Sequence, residues 1–201
     1  MARVSRAQAE RHREDIAEVA ARLFRERGIS GVSIAELTGA CGLTHGGFYG
    51  HFESKDHLAA EAVARAFSHS KAKWHEARQT AQGPTEALAT IIARYLRTGH
   101  RDDPGPGCAA SALVGDIARE AEGKPVRAVY AAGIDGLIEE MAELIAEETG
   151  ITPDDARIRA IAQFASLTGA IALARATKGT GLSDEILTAV RKTFGVGDIE
   201  E

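Results

Sequence analysis

Ile16, Val19, Ala20, Leu23 and Phe24 stand at i, i+3, i+4, i+7 and i+8, which is one apolar stripe on a helix. The same period returns in almost every later segment, and nothing alternates convincingly with period two. The class is therefore all-α. A 201-residue chain that is 44% hydrophobic buries a core without disulfide staples, so one or two small domains are expected.

Glycine, proline and capping residues divide the chain into about nine helices. The first runs from about Ala7 to Arg27 and stops at Gly28. Ser33 followed by Glu36 is a capping box for a short second helix that carries Ile34, Ala35, Leu37 and Ala40 and ends near Cys41. Gly42 supplies a tight turn, and Thr44 caps a third helix ending near Phe52. Ser54 caps a long fourth helix towards Gln79, and Pro84 opens a fifth through about Thr98. Residues 101–107, RDDPGPG, read as a loop, with a sixth helix from about Cys108. Pro125 opens the seventh, to Thr149; Thr152-Pro153 opens the eighth, to about Lys178; Ser183 starts the ninth, which ends at Gly195.

Function concentrates in residues 33–55, SIAELTGACGLTHGGFYGHFESK. A helix-turn-helix needs a small residue where its helices cross, a glycine-tolerant turn, and apolar residues that lock the pair on the preceding helix. Ala35, Gly42 and the set Ile34, Leu37, Leu43, Phe48 and Phe52 meet those needs, although caps and spacing alone also fit a generic helical hairpin.

Over residues 10–60 the chain also resembles the tetracycline-repressor (TetR/AcrR) family: an apolar helix ending in F-x-x-x-G, then S-I-A-E-L, G-L-T, F-Y-x-H-F and S-K-x-x-L. The resemblance implies a DNA-binding domain over residues 1–53 and an effector-binding and dimerisation domain over 54–201. It makes Thr44 through His51 the recognition helix, with Phe48 and Phe52 as anchors and Tyr49, His51 and Lys55 contacting the DNA backbone. Thr44 and His45 can reach base edges, while Lys55 and Ser33 sit at helix starts where N–H groups favour phosphate. Simple packing stays open for His51, and a partly core position for Tyr49. Gly46, Gly47 and Gly50 depart from the family pattern, each costing about 1 kcal/mol of helix propensity against alanine. Readout should then lean on Thr44, His45, close backbone approach at Gly46 and Gly47, and DNA shape.

Charge adds a little. The net charge of −5 argues against wholesale coating of nucleic acid, yet residues 1–55 carry eight basic against seven acidic side chains, four of the arginines within residues 1–13. Those four form either a phosphate-binding arm or an ordinary solvated terminus. No apolar run approaches a membrane span and no h-region opens the chain, so a cytoplasmic protein with reduced Cys41 and Cys108 and no membrane partner is expected.

In the eighth helix, Ala162, Ala165, Gly169, Ala172 and Ala176 allow close approach of another backbone. With Ile186, Val190 and Phe194 of the ninth they make either a two-fold homodimer interface or an intramolecular core. Aromatic residues are scarce, so Trp74, Tyr95, Tyr130 and Phe164, with Gln163 and the polar His75 and His100, are candidate contacts for a small, largely apolar effector, or core residues. Cys108, after a Pro/Gly loop at a helix start, is either a redox or electrophile sensor or a buried inert thiol. A metal, a cofactor and catalytic residues are not expected: no two histidines stand at i, i+3 or i, i+4, and no Cys-x-x-Cys or Gly-rich phosphate loop occurs. The expectation is a repressor that holds a pseudo-palindromic double-stranded operator as a homodimer and leaves it on binding an effector. A ligand-binding scaffold without DNA affinity and a small helical enzyme are the rivals.

Overall fold

The computed structural model describes residues 6–43 and 45–197. Thr44 and residues 1–5, which hold Arg3 of the basic arm, lie outside them. Ten helices and no strand occur among the described residues: α1 (Arg6–Arg27), α2 (Ile34–Ala40), α3 (His45–Phe48), α4 (Lys55–Thr80), α5 (Pro84–Tyr95), α6 (Thr98–Asp102), α7 (Ala109–Arg119), α8 (Pro125–Thr149), α9 (Pro153–Ala176) and α10 (Gly181–Thr193). Capping side chains or N1 prolines open five of the ten helices. Ser33, Ser54 and Thr152 each accept a backbone N–H of the first turn, and Pro84, Pro125 and Pro153 stand where a missing N–H costs nothing.

Two segments differ from the sequence expectation. The third helix stops at Phe48 instead of running to Phe52; beyond it the chain tightens through Gly50 N–H to the Gly47 carbonyl (3.2 Å) and His51 N–H to the Phe48 carbonyl (2.9 Å). With Gly46, Gly47 and Gly50 in so short a stretch, helix propensity is too weak to carry another turn. The second difference is α6, formed where the end of the fifth helix and the start of a loop were expected. Leu96 terminates α5, and His100 folds its ring back onto the Tyr95 carbonyl at 2.6 Å, while Arg101 pairs with Asp184 of α10 at 2.5 Å. Those contacts keep residues 98–102 as a separate turn of helix, of which local signals leave Arg101 and Asp102 as loop.

The buried side chains form one contiguous core from Ile16 to Val196. In it α1 packs on α4, α4 on α8, and α8 on α9, with α5 beside α8 and α10 on the outer side of α9. The α4–α8 crossing is close because of Gly133: a Cβ there would stand 2.2 Å from the Phe67 ring. The 26 residues of α4 span about 39 Å, from the turn after α3 to the middle of the C-terminal bundle.

Candidate functional site

In the N-terminal unit, Phe48 and Phe52 are buried and stacked with ring centroids 5.7 Å apart, so two aromatic anchors hold a four-residue helix that could not hold itself. Gly42, at φ +68°, turns the chain between α2 and α3. Arg13 of α1 closes the unit. Its Nη1 donates to the His51 carbonyl and its Nη2 pairs with Glu61 of α4, both at 2.5 Å, while the guanidinium lies 4.4 Å from the Phe52 ring centre. Arg27 reaches Glu36 at 2.9 Å, and with Ser33 it holds that carboxyl down at about 2, the Ser33 backbone N–H being the largest cause.

Tyr49 is 58% exposed, its ring edge-on to Phe48, and a Cβ on Gly46 would meet nothing within contact distance. Gly47 follows in α3, which His45 opens. Lys55 begins α4, half-buried and in no ion pair among the described residues. His51 is half-buried against the His12 ring (5.9 Å), and burial, then His12 and Arg13, lowers its pKa. The Ser33 hydroxyl is engaged in the capping box, donating to Glu36 at 2.8 Å. Ala35 is exposed, and the residues that α2 buries are Leu37 and Thr38.

A cavity of about 440 Å³ opens between α4, α5, α6 and the loop before α7. Ser70, Lys73, Trp74 and Ala77 of α4 line it at i, i+3, i+4 and i+7, facing Ile91, Arg94 and Tyr95 of α5. Arg97, His100, Asp103, Pro106, Gly107 and Cys108 complete the wall. Of the residues named from sequence, Trp74, Tyr95, Cys108 and His100 line it, and Phe164 backs Trp74 and Tyr95 edge-on at 6.0 and 6.3 Å. His75, bonded to Gln79, lines instead a neighbouring cavity of about 310 Å³ with Arg78, Glu140 and Glu143, and Trp74 stands between the two. Tyr130 and Gln163 line neither: Tyr130 is buried, its hydroxyl donating to the Ala110 carbonyl at 2.7 Å, and Gln163 is half-buried on α9.

Lys73, Arg94 and Arg97 are the basic lining residues, and sequence reasoning missed all three. Their helical spacing with Trp74 and Tyr95 was legible; that this face borders a gap was not. Lys73 donates to the Pro106 carbonyl at 2.7 Å, and the buried Arg25 of α1 donates to the Gly105 carbonyl at 2.6 Å, so the loop is held from both sides. His100 is neutral: burial pushes it down to about 4, helped by the charges of Arg175, Arg97 and Lys73.

On the far side of the molecule α9 carries a second apolar face. Ile158 (66% exposed), Ile161 and Leu173 (57% exposed) share it with Ala162, Ala165, Gly169 and Ala172, within an arc of about 120°. The large members were missed because the apolar residues of α9 are not confined to one face, its inner side burying Ala160, Phe164, Leu167, Ile171 and Ala174. Ile186 and Val190 of α10, and Phe194 just after it, are partly buried against the chain's own core.

A buried-anchor helix-turn-helix on an all-helical bundle with a side cavity defines a class, the helix-turn-helix DNA-binding proteins. Residues 16–62 match the model of the bacterial regulatory proteins, tetR family. Rv0196 of Mycobacterium tuberculosis, an uncharacterized HTH-type transcriptional regulator, is 33% identical over 167 residues, 81% of this chain and 84% of that protein. With the HTH-type transcriptional regulator AcrR of Shigella flexneri the likeness is 41% over 61 residues, 30% of this chain and 28% of that one. A TetR-family regulator from Agrobacterium tumefaciens superposes with a TM-score of 0.78 at 21% identity, over 93% of this chain and 97% of its own. The chain belongs to the TetR family and is a DNA-binding transcriptional regulator.

Proposed function

We propose that the protein is a repressor that holds a pseudo-palindromic operator as a homodimer and leaves it when a small molecule occupies the cavity between α4, α5 and α6. One observation carries the reading: α4 starts at Lys55, beside the helix-turn-helix, and about 28 Å further on lines the cavity with Lys73 and Trp74. A ligand that tilts this rod changes the separation of two recognition helices, which an operator requires near one DNA turn, about 34 Å, or a multiple of it. The loop from Pro104 to Gly107 gives a second link, because the cavity wall and α1 share it through Lys73 and Arg25. Coupling of about 1–3 kcal/mol suffices for a 5–150-fold loss of operator affinity.

We take residues 1–53 as the DNA-binding part and 54–201 as the effector and dimer part. Thr44, His45 and the backbone at Gly46 and Gly47 would face the bases, with Ser33, Tyr49, His51 and Lys55 along the phosphates. The exposed face of α9, continued by α10, is the proposed dimer surface. A sensor acting through Cys108 is not favoured, since the cysteine is buried and its backbone N–H donates to His100.

The test is selection of bound sequences from random DNA, followed by measurement of operator affinity against salt. Lys55→Ala should reduce the slope of log affinity against log salt by about 1, and Tyr49→Phe should weaken binding evenly across sequences. A salt slope untouched by Lys55→Ala would remove the proposed placement on DNA.

A further inference from the structure

We infer that the cavity takes an organic anion: a carboxylate or similar group held by Lys73 and Arg97, carried on a ring-sized apolar body that lies against Trp74 and Tyr95. This rests on the cavity being the effector site, and it names the ligand class that site selects. Three basic side chains, Lys73, Arg94 and Arg97, line it against two carboxylates, Glu76 and Asp103. Asp103 is partly occupied within its own loop, accepting the Gly105 N–H at 3.2 Å. Neither Arg94 nor Arg97 is in an ion pair among the described residues, and the Lys73 ammonium has only the neutral carbonyl of Pro106.

Arg13, Arg22, Arg27, Arg78, Arg101 and Arg157 are each paired to a carboxylate. Around the cavity Lys73, Arg94 and Arg97 are in no ion pair among the described residues, and Arg25 stands buried behind its loop, its Nε on the Gly105 carbonyl and its Nη1 without a hydrogen-bond partner. The groups feel one another. Lys73 is lowered by burial, then by the charges of Arg25 and Arg97, and His100 is lowered by burial and by three neighbouring cations. An anion relieves that repulsion, and a cation adds to it. The floor completes the specification, since Trp74, Ala77, Ile91 and Tyr95 offer apolar surface in a space of about 440 Å³, within the range of small-molecule sites.

The chain has one tryptophan, Trp74, which lines this cavity and borders its neighbour, so its fluorescence reports on this part of the molecule. Phenylpropanoate, its uncharged amide and phenylpropylamine, titrated into the full-length protein by calorimetry and by Trp74 fluorescence, separate charge from shape. The carboxylate should bind about tenfold tighter than the amide, the amine should bind weakest, and Trp74 emission should change in step. The double variant Lys73→Gln, Arg97→Gln, checked for an unchanged melting temperature, should bind the carboxylate no better than the amide. Arg94→Gln alone, at the rim and away from the loop, should give a partial loss. Amide binding equal to the carboxylate, tightest binding of the amine, or no binding of the carboxylate would overturn the proposal. Operator release is read separately: a carboxylate that binds with this preference and leaves the operator complex intact upholds the anion site and removes the effector reading.

Discussion

His100 is neutral for a structural reason. Its Nδ1–H donates to the Tyr95 carbonyl at 2.6 Å and its Nε2 accepts the Cys108 N–H at 3.1 Å, so a second proton would face an N–H group with no acceptor. Gly107 lies close enough that a Cβ would stand 2.8 Å from the ring. The folded state lowers the pKa to about 4 from an ordinary value of about 6.5, so the unfolded chain takes up its proton first as pH falls. Stability from this group is complete above about pH 6.5 and drains away between there and about pH 4, by on the order of 3 kcal/mol. Urea unfolding across that range should show the loss, and His100→Gln should flatten it. A wild-type protein equally stable at both ends would mean that the folded ring accepts the proton. A second residue-scale outcome concerns Gly46, where added side-chain volume meets nothing. Gly46→Ala should raise the melting temperature by about 2–4 °C through helix propensity. It should weaken operator binding, because the backbone can no longer approach the bases closely.

Among the elements, α4 and α8 decide how the DNA-binding unit is set on the bundle. Phe67 occupies the space that a side chain at Gly133 would need, and Lys71 lies across Gly136, with Nζ 2.2 Å from where a Cβ would be. Gly133→Ala therefore forces Phe67 or the whole helix to move. We expect a loss of about 1–3 kcal/mol and a weaker operator complex, with Phe67→Leu in the same chain restoring part of both. Thermal melts and mobility shifts on the three variants check it. A Gly133→Ala protein that binds operator normally would show that the α4–α8 crossing does not set the recognition helix.

For the whole molecule, the outward face of α9 leaves Ile158, Ile161 and Leu173 in solvent beside small residues that permit close helix approach. Ala165→Asp, placed in the middle of that stripe, should turn a sedimenting dimer into a monomer whose melting temperature depends little on concentration. Its operator affinity should fall steeply, since two half-sites are no longer held together. Dimers that persist in this variant would place the interface elsewhere.

Local chemistry settled much of the architecture in advance. Ser33, Ser54, Thr152 and the three N1 prolines mark helix starts, and Phe48 and Phe52 were legible as anchors, because caps and apolar period act over a few residues. Tertiary contacts decided the rest. α6 exists because His100 folds back onto the Tyr95 carbonyl and Arg101 finds Asp184 more than eighty residues away, a partner that no local window contains. The third helix is short because glycine propensity outweighs a pattern that otherwise continues to Phe52. Trp74 and Tyr95 could be named from sequence, but not the cation field around them. Lys73, Arg94 and Arg97 look like any solvated basic residues until packing turns three helices towards one gap and leaves them without carboxylate partners.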